Sequence, residues 1–209
     1  NTVAILYNFP SNPTGATITV EQRDELLAFA QRHDLWIITD EVYDRIVYDA
    51  PHVSFIGAGY DKVIMVQSFS KTFAMTGWRI GYAAGPEDII KAMSKIQGQA
   101  TSCANSIGQK ASIEALLGDQ QCVEDMKESF LKRRDLIVQL LNELPGVKCP
   151  VPNGAFYVFP DFSYYLNREA NGKLLKDTFD ISEYILDAVQ VVTVPGDGFG
   201  SSGHIRFSY

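Results

Sequence analysis

The chain has 209 residues, enough for one large domain or two small ones, and its 46% hydrophobic and 21% charged content is ordinary for a globular protein. A net charge of −7 and a pI near 4.9 argue against a nucleic-acid groove or an anionic membrane as partner, and no apolar run approaches the roughly 20 residues needed to span a bilayer. Cys103, Cys122 and Cys149 are odd in number and widely spaced, which fits neither a disulfide framework nor a zinc site; they read as small core residues in a reducing cytoplasm. The sequence opens at Asn1, almost directly with a strand, and is expected to be a piece of something longer.

Val3-Ala-Ile-Leu-Tyr-Asn-Phe9 is apolar and β-prone, a short buried strand ended by Pro10. Asn12-Pro-Thr-Gly15 follows as a turn: proline fixes one φ angle and glycine can supply a positive one, while Asn12 is not required by the turn. Thr19-Val-Glu-Gln22 matches a capping box, and Arg23, Leu26, Leu27 and Ala30 at helical spacing predict a helix to about Arg32. Residues 35–39 form the next buried strand, with Asp40-Glu-Val-Tyr43 at its carboxyl end. Strand, helix and strand in this order predict a right-handed βαβ unit and a parallel sheet. Residues 63–67 add a strand that ends in Ser68-Phe-Ser-Lys71, and Arg79 opens a further strand over 80–84.

Taken alone, Lys71 is a solvated lysine after a core strand, since lysine is rarely buried. Open α/β sheets, however, bind ligands outside the carboxyl ends of their strands. That places Asn12, Asp40, Tyr43, Ser68, Ser70 and Lys71 on one rim, with Arg79 arriving after a glycine-bearing turn. An amine, small hydroxyl donors and a guanidinium are what a phosphorylated aldehyde cofactor would need for its Schiff base and its phosphate.

Pro86, with Glu87 and Asp88 beside it, predicts a helix start, and that helix should reach about Ile96. Two more helices are expected over 104–117 and 123–144, broken by Gly118-Asp119. The second is amphipathic, with Val123, Met126, Phe130, Ile137, Leu141 and Leu144 on one face and Lys132-Arg-Arg134 read as a solvated basic face; Pro145-Gly146 stops it. Short strands follow over 147–149, 155–159, 191–194 and 204–208, with one helix over 182–189 capped by Asp180. Residues 164–177 read as a surface loop or short helix.

Seven motifs recur in order: Asn12-Pro-Thr-Gly15, Asp40-Glu-Val-Tyr43, Ser68-Phe-Ser-Lys71, Gly77-Trp-Arg-Ile-Gly81, Gly154-Ala-Phe-Tyr157, Val194-Pro-Gly-Asp-Gly-Phe-Gly200 and His204-Ile-Arg-Phe-Ser208. None is specific by itself. Together, across nearly the whole chain, they resemble the class I/II aminotransferases of the fold type I pyridoxal-phosphate enzymes, and most of all the branch of bacterial-type aspartate and prephenate aminotransferases. The resemblance implies an α/β fold in two parts. Residues 1–118 would be the C-terminal portion of a large cofactor-binding domain, with a mostly parallel sheet and flanking helices. Residues 119–209 would be a smaller α+β domain, incomplete at its C-terminus.

The resemblance also implies roles. Lys71 would form the Schiff base with pyridoxal 5′-phosphate and shuttle a proton at the substrate Cα, with its basicity tuned by burial or nearby positive charge. Asp40 would face the pyridine nitrogen, Tyr43 and Asn12 the ring's phenolate oxygen, and Val42 one face of the ring. Ser68, Ser70 and Arg79 would hold the phosphate, and Arg206 would clamp the substrate α-carboxylate, arginine's planar fork suiting both anions. No metal is implied, and Glu41, His33, His52, His204 and Asp197 carry no assigned role. The implied activity moves an amino group from an aspartate-like or aromatic amino acid to a 2-oxo acid in a cytoplasmic homodimer. Family chains are considerably longer, so this chain is expected to be a fragment without the N-terminal part, inactive alone or nearly so. A pyridoxal-phosphate β C–S lyase on the same site, and a non-catalytic binding module that kept the fold, are the alternatives.

Overall fold

The apolar runs form a four-stranded sheet in the order β1 (Ala4–Asn8), β2 (Trp36–Asp40), β3 (Val63–Ser68), β4 (Gly81–Ala84) in a computed structural model that describes residues 1–209. β1, β2 and β3 run parallel and β4 runs antiparallel to β3, so the sheet is mixed and mostly parallel, as expected. Helix α1 (Val20–Arg32) links β1 to β2. Its start is locally encoded: Gln22 N donates to Thr19 Oγ1 at 3.2 Å, and Thr19 N donates to Gln22 Oε1 at 2.9 Å. The reciprocal pair satisfies two amides that a helix end otherwise leaves without partners. Leu27 and Ala30 from α1 pack with Leu35, Ile37, Phe55 and Val63 to form the core on one side of the sheet.

β3 leads directly into the single turn α2 (Phe69–Thr72), and β4 is followed by α3 (Glu87–Ala100) and α4 (Ser106–Leu117). The expected stop of α3 at Ile96 is wrong by four residues. Gly98 costs about 1 kcal/mol relative to alanine but leaves the backbone bonds intact, and the helix ends at Thr101, before Ser102 takes a positive φ of 65°. Asn105 caps α4 by accepting from Gly108 N at 2.6 Å.

α5 (Gln121–Asn142) carries the chain between two compact units, one of Asn1–Pro10 and Thr17–Lys127, the other of Ser11–Ala16 and Glu128–Tyr209. The sequence had suggested a single division between residues 118 and 119. The second unit holds a three-stranded sheet in the order β5 (Tyr157–Val158), β9 (Ile205–Ser208), β8 (Val194–Pro195). A two-stranded hairpin, β6 (Glu169–Ala170) with β7 (Lys173–Leu174), and helix α6 (Thr178–Val189) complete it. Val138, Leu141, Val147, Val158, Phe162, Ile181 and Ile205 form its core. No helix is long and apolar enough to cross a membrane.

Several expectations for this half are corrected. The predicted strand over 147–149 makes only an isolated bridge, Lys148 to Asp161, and in the predicted strand over 191–194 pairing begins at Val194. Residues 164–177, expected to be a surface loop or short helix, begin in the single 3-10 turn Ser163–Tyr165 and contain the hairpin. α6 begins at Thr178, capped by Asp177 and not by Asp180. Asp177 has the extended backbone of a cap and accepts from Asp180 N at 2.9 Å, while Asp180 lies inside the first turn and accepts from Lys176 N. Arg134 is buried, not part of a solvated face, because Pro152 O and Asp135 Oδ1 accept its guanidinium protons. Of the cysteines only Cys149 is a core residue; Cys103 and Cys122 are exposed. Leu144 is exposed beyond the end of α5.

Candidate active site

Strand register brings the predicted residues of the first unit to one edge. Asn8 pairs with Asp40, Asp40 with Val66, and Ser68 with Gly81, so β1, β2 and β3 end, and β4 begins, at the same rim. Asp40, Val42 and Tyr43 follow from the end of β2, Ser68, Ser70 and Lys71 from the end of β3, and Arg79 lies two residues before β4. Asp40 Oδ1 accepts from Val42 N at 3.2 Å, and its backbone oxygen accepts from Asn8 Nδ2 at 3.2 Å. Tyr43 is buried; Asp40, Val42, Ser68, Ser70 and Lys71 are half-buried; Arg79 is exposed. A half-buried lysine on the last turn of a short helix is not the freely solvated side chain that the local sequence suggests.

The turn after β3 is shaped by its own hydroxyls. Ser68 Oγ accepts from Ser70 N at 3.1 Å and donates to Ile80 O at 3.4 Å, while Ser68 N donates to Gln67 Oε1 at 2.9 Å. Arg79 sits in the left-handed region at φ 53°, ψ 54° and donates Nη1 to Thr76 O at 3.0 Å. That conformation costs a non-glycine residue about 1–2 kcal/mol, and such strain concentrates at functional sites. Residues bearing hydroxyls (Ser68, Ser70), an amine (Lys71), a guanidinium (Arg79) and a carboxylate (Asp40) thus lie on or beside one rim. This donor set fits a phosphate-bearing aldehyde cofactor with a basic ring nitrogen.

Asn12 and Arg206 belong to the second unit, where they meet. Arg206 Nη1 donates to Asn12 Oδ1 at 2.8 Å, its guanidinium lies 4.6 Å from the Tyr157 ring centre and 5.5 Å from that of Phe199, and its buried Nε has no hydrogen-bond partner. An unpaired buried donor on a guanidinium is costly, and an anion would relieve it. The Asn12 turn is pinned by Gly15, whose carbonyl accepts from Asn153 N at 3.0 Å and Gly154 N at 2.9 Å. Gly15 has φ 67°, and a Cβ there would run into Pro152 and the Gly154 carbonyl, so only glycine fits. His204 stacks on Phe159 at 5.1 Å and bonds Ser201.

Sequence reasoning passed over several residues that support these two groups of side chains. Glu41 is 2% exposed; its carboxylate accepts from His52 Nε2 at 2.7 Å, from Phe55 N at 3.2 Å and from Thr39 Oγ1 at 3.2 Å. Burial by itself would raise the Glu41 carboxyl, but hydrogen bonds from His52, Ser54 and Phe55 outweigh it and hold it below the ordinary carboxylate range. Gln67, buried, donates Nε2 to Glu41 O at 2.9 Å. The only sequence signal was a polar residue closing an otherwise apolar strand. Asp197, given no role, accepts from Thr178 N at 3.2 Å and so fastens the turn bearing Phe199 to the start of α6.

Residues 1–209 match the family model for aminotransferase class I and II, and the chain belongs to that family. It is 44% identical over 213 residues to an aspartate aminotransferase of Streptomyces avermitilis, covering 100% of this chain and 52% of that protein. It is 41% identical over 210 residues to an aspartate/prephenate aminotransferase of Cereibacter sphaeroides, covering 98% of this chain and 52% of the other. The crystal structure of an aspartate aminotransferase from Rhizobium meliloti superposes with a TM-score of 0.92 at 42% identity, over 99% of this chain and 53% of that one. The chain thus spans about half the length of the curated relatives it matches. Membership of this family implies pyridoxal 5′-phosphate as the cofactor.

Proposed function

We propose that the full-length protein is a pyridoxal-phosphate-dependent aminotransferase that moves an amino group from an aspartate-like or aromatic amino acid to a 2-oxo acid. The observation that carries this is the strand register, which gathers Asp40, the Ser68–Lys71 turn and Arg79 on one rim. When bound, the cofactor supplies an electron sink for the charge that develops at the substrate Cα. Lys71 Nζ would hold the cofactor and would move the proton at the substrate Cα. Asp40 would face the ring nitrogen, Tyr43 and Asn12 would serve the phenolate oxygen, and Val42 would pack on the ring. Ser68 and Ser70 would serve the phosphate, and Arg79 would pair with it through its planar fork.

Arg206 holds the substrate α-carboxylate, a role supported by its buried, unpaired Nε. In this reading the first compact unit belongs to the large cofactor-binding domain and the second is the small domain. The assembled form is a homodimer, and three free thiols suit a reducing cytoplasm. Residues 1–209 alone, about half the length of the relatives, are expected to be inactive.

The test is the absorbance spectrum of the full-length protein with pyridoxal phosphate, with and without Lys71→Ala, followed by a panel of amino acids and 2-oxo acids. A lysine-dependent cofactor band, and acceptor-dependent formation of a 2-oxo acid, are expected. Release of thiol, ammonia and pyruvate without an acceptor would instead identify a β C–S lyase. Retained biological activity in Lys71→Ala would identify a binding module. Turnover by residues 1–209 alone would overturn the expectation for that stretch.

A further inference from the structure

Two turns carry most of the proposed cofactor contacts in the first unit: the one after β2, with Asp40, Val42 and Tyr43, and α2, with Ser70 and Lys71. α2 is one turn of four residues, too short to be stable by its own hydrogen bonds, so its position depends on what it is tied to. Phe69 supplies one tie, packing at 5.6 Å from both Phe73 and Tyr82. Thr72 supplies the other. It is 3% exposed and its Oγ1 donates to Asp44 Oδ1 at 3.2 Å; the same oxygen accepts from Arg45 N at 2.8 Å. Thr72 follows Lys71 in the chain and Asp44 follows Tyr43, so one hydrogen bond joins the two turns a single peptide away from the cofactor-facing side chain on each.

We propose that Asp44 and Thr72 act as a positioning pair that fixes the Lys71 turn against the Tyr43 turn; this rests on the cofactor assignment above. A purely structural site would favour apolar side chains, because sinking a carboxylate costs desolvation that packing does not. Burial does push the Asp44 carboxyl up, with His52, Thr72 and Arg45 opposing it. The pair also adjoins a cavity of about 90 Å³ lined by Asp44, Ser68 and Thr72, which gives the turn room to shift once the bond is lost. Displacement of a covalently anchoring amine by a fraction of an ångström is enough to degrade its chemistry.

The experiment uses the full-length protein loaded with pyridoxal phosphate. It compares Thr72→Val, Thr72→Ser, Asp44→Ala and the Val/Ala double variant by cofactor retention and by the position and ratio of the cofactor absorbance bands. Thr72→Val, which keeps the shape and removes the donor, is expected to weaken retention about tenfold and alter the band ratio. Thr72→Ser should restore both, and the double variant should be no worse than the poorer single one. Parent-like retention and band ratio in Thr72→Val, failure of Thr72→Ser to restore them, or additive losses in the double variant would each overturn the proposal. If Thr72→Val does not fold, Asp44→Ala against Thr72→Ser decides, with a parent-like Asp44→Ala overturning it. A parent protein without a Lys71-dependent band overturns the cofactor assignment together with this inference; a normal band indifferent to Thr72→Val overturns this inference alone.

Discussion

Replacing Glu41 with glutamine probes the buried carboxylate that joins the end of β2 to the connection toward β3. In the native chain its oxygens accept from Thr39 Oγ1, Phe55 N and His52 Nε2 at 3.2, 3.2 and 2.7 Å. An ionised carboxylate only accepts, so His52 Nε2 carries the proton and donates. Glutamine offers one acceptor oxygen and one donating NH₂ group, which sets a donor against at least one of these donors. A hydrogen bond to a charged group contributes about 1.5–3 kcal/mol, so Glu41→Gln should cost about 2–3 kcal/mol at pH 7. At this chain length that lowers Tm by roughly 4–12 °C.

The pH dependence has a definite sign. Because the folded carboxyl is held below its ordinary value, its contribution is fully present above the unfolded value of about 4.3 and is lost as pH falls through the folded value. The gap between parent and Glu41→Gln should therefore narrow as pH falls from about 5 toward 3. Urea unfolding followed by Trp36 and Trp78 fluorescence measures it at each pH. A gap below roughly 0.5 kcal/mol at pH 7, or one that stays unchanged down to pH 3, would refute the reasoning.

Arg206→Lys in the full-length protein should lower kcat/KM for α-carboxylate substrates by about 100-fold with little change in Tm, since an ammonium cannot supply the paired donors of Nη and Nε. An unchanged kcat/KM would remove Arg206 from the carboxylate site. Asp177→Ala should cost about 1 kcal/mol, read from the urea midpoint, because it strips the cap from Asp180 N; no loss would restore Asp180 as the capping residue. Gly196→Ala should cost about 1–3 kcal/mol, since its Cβ would meet the backbone oxygens of His204 and Ser201, which cannot swing aside. A variant as stable as the parent by the same measurement would contradict that close approach.

The start of α1 was written in the sequence because Thr19 and Gln22 bond each other's amides, three residues apart. The same holds for the strands ending at Asp40 and Ser68, whose apolar runs carry their own period and whose polar residues must fall at the strand ends. These local rules were enough to place Asp40, Tyr43, Ser68, Lys71 and Arg79 on one rim. They could not tell Asp177 from Asp180, because either could cap and only the extended backbone at 177 decides. Nor could they separate Arg134 from Lys132 and Arg133, whose composition is alike, since the acceptor that buries Arg134 lies on Pro152, 18 residues away. Glu41 with His52 is separated by 11 residues, Asp44 with Thr72 by 28, and Asn12 with Arg206 by 194. Caps and turns are settled among neighbours in the chain, where the interacting groups are always within reach. Which charges are buried and which partners satisfy them depends on the segments that packing brings together, and only the assembled sheets decide that.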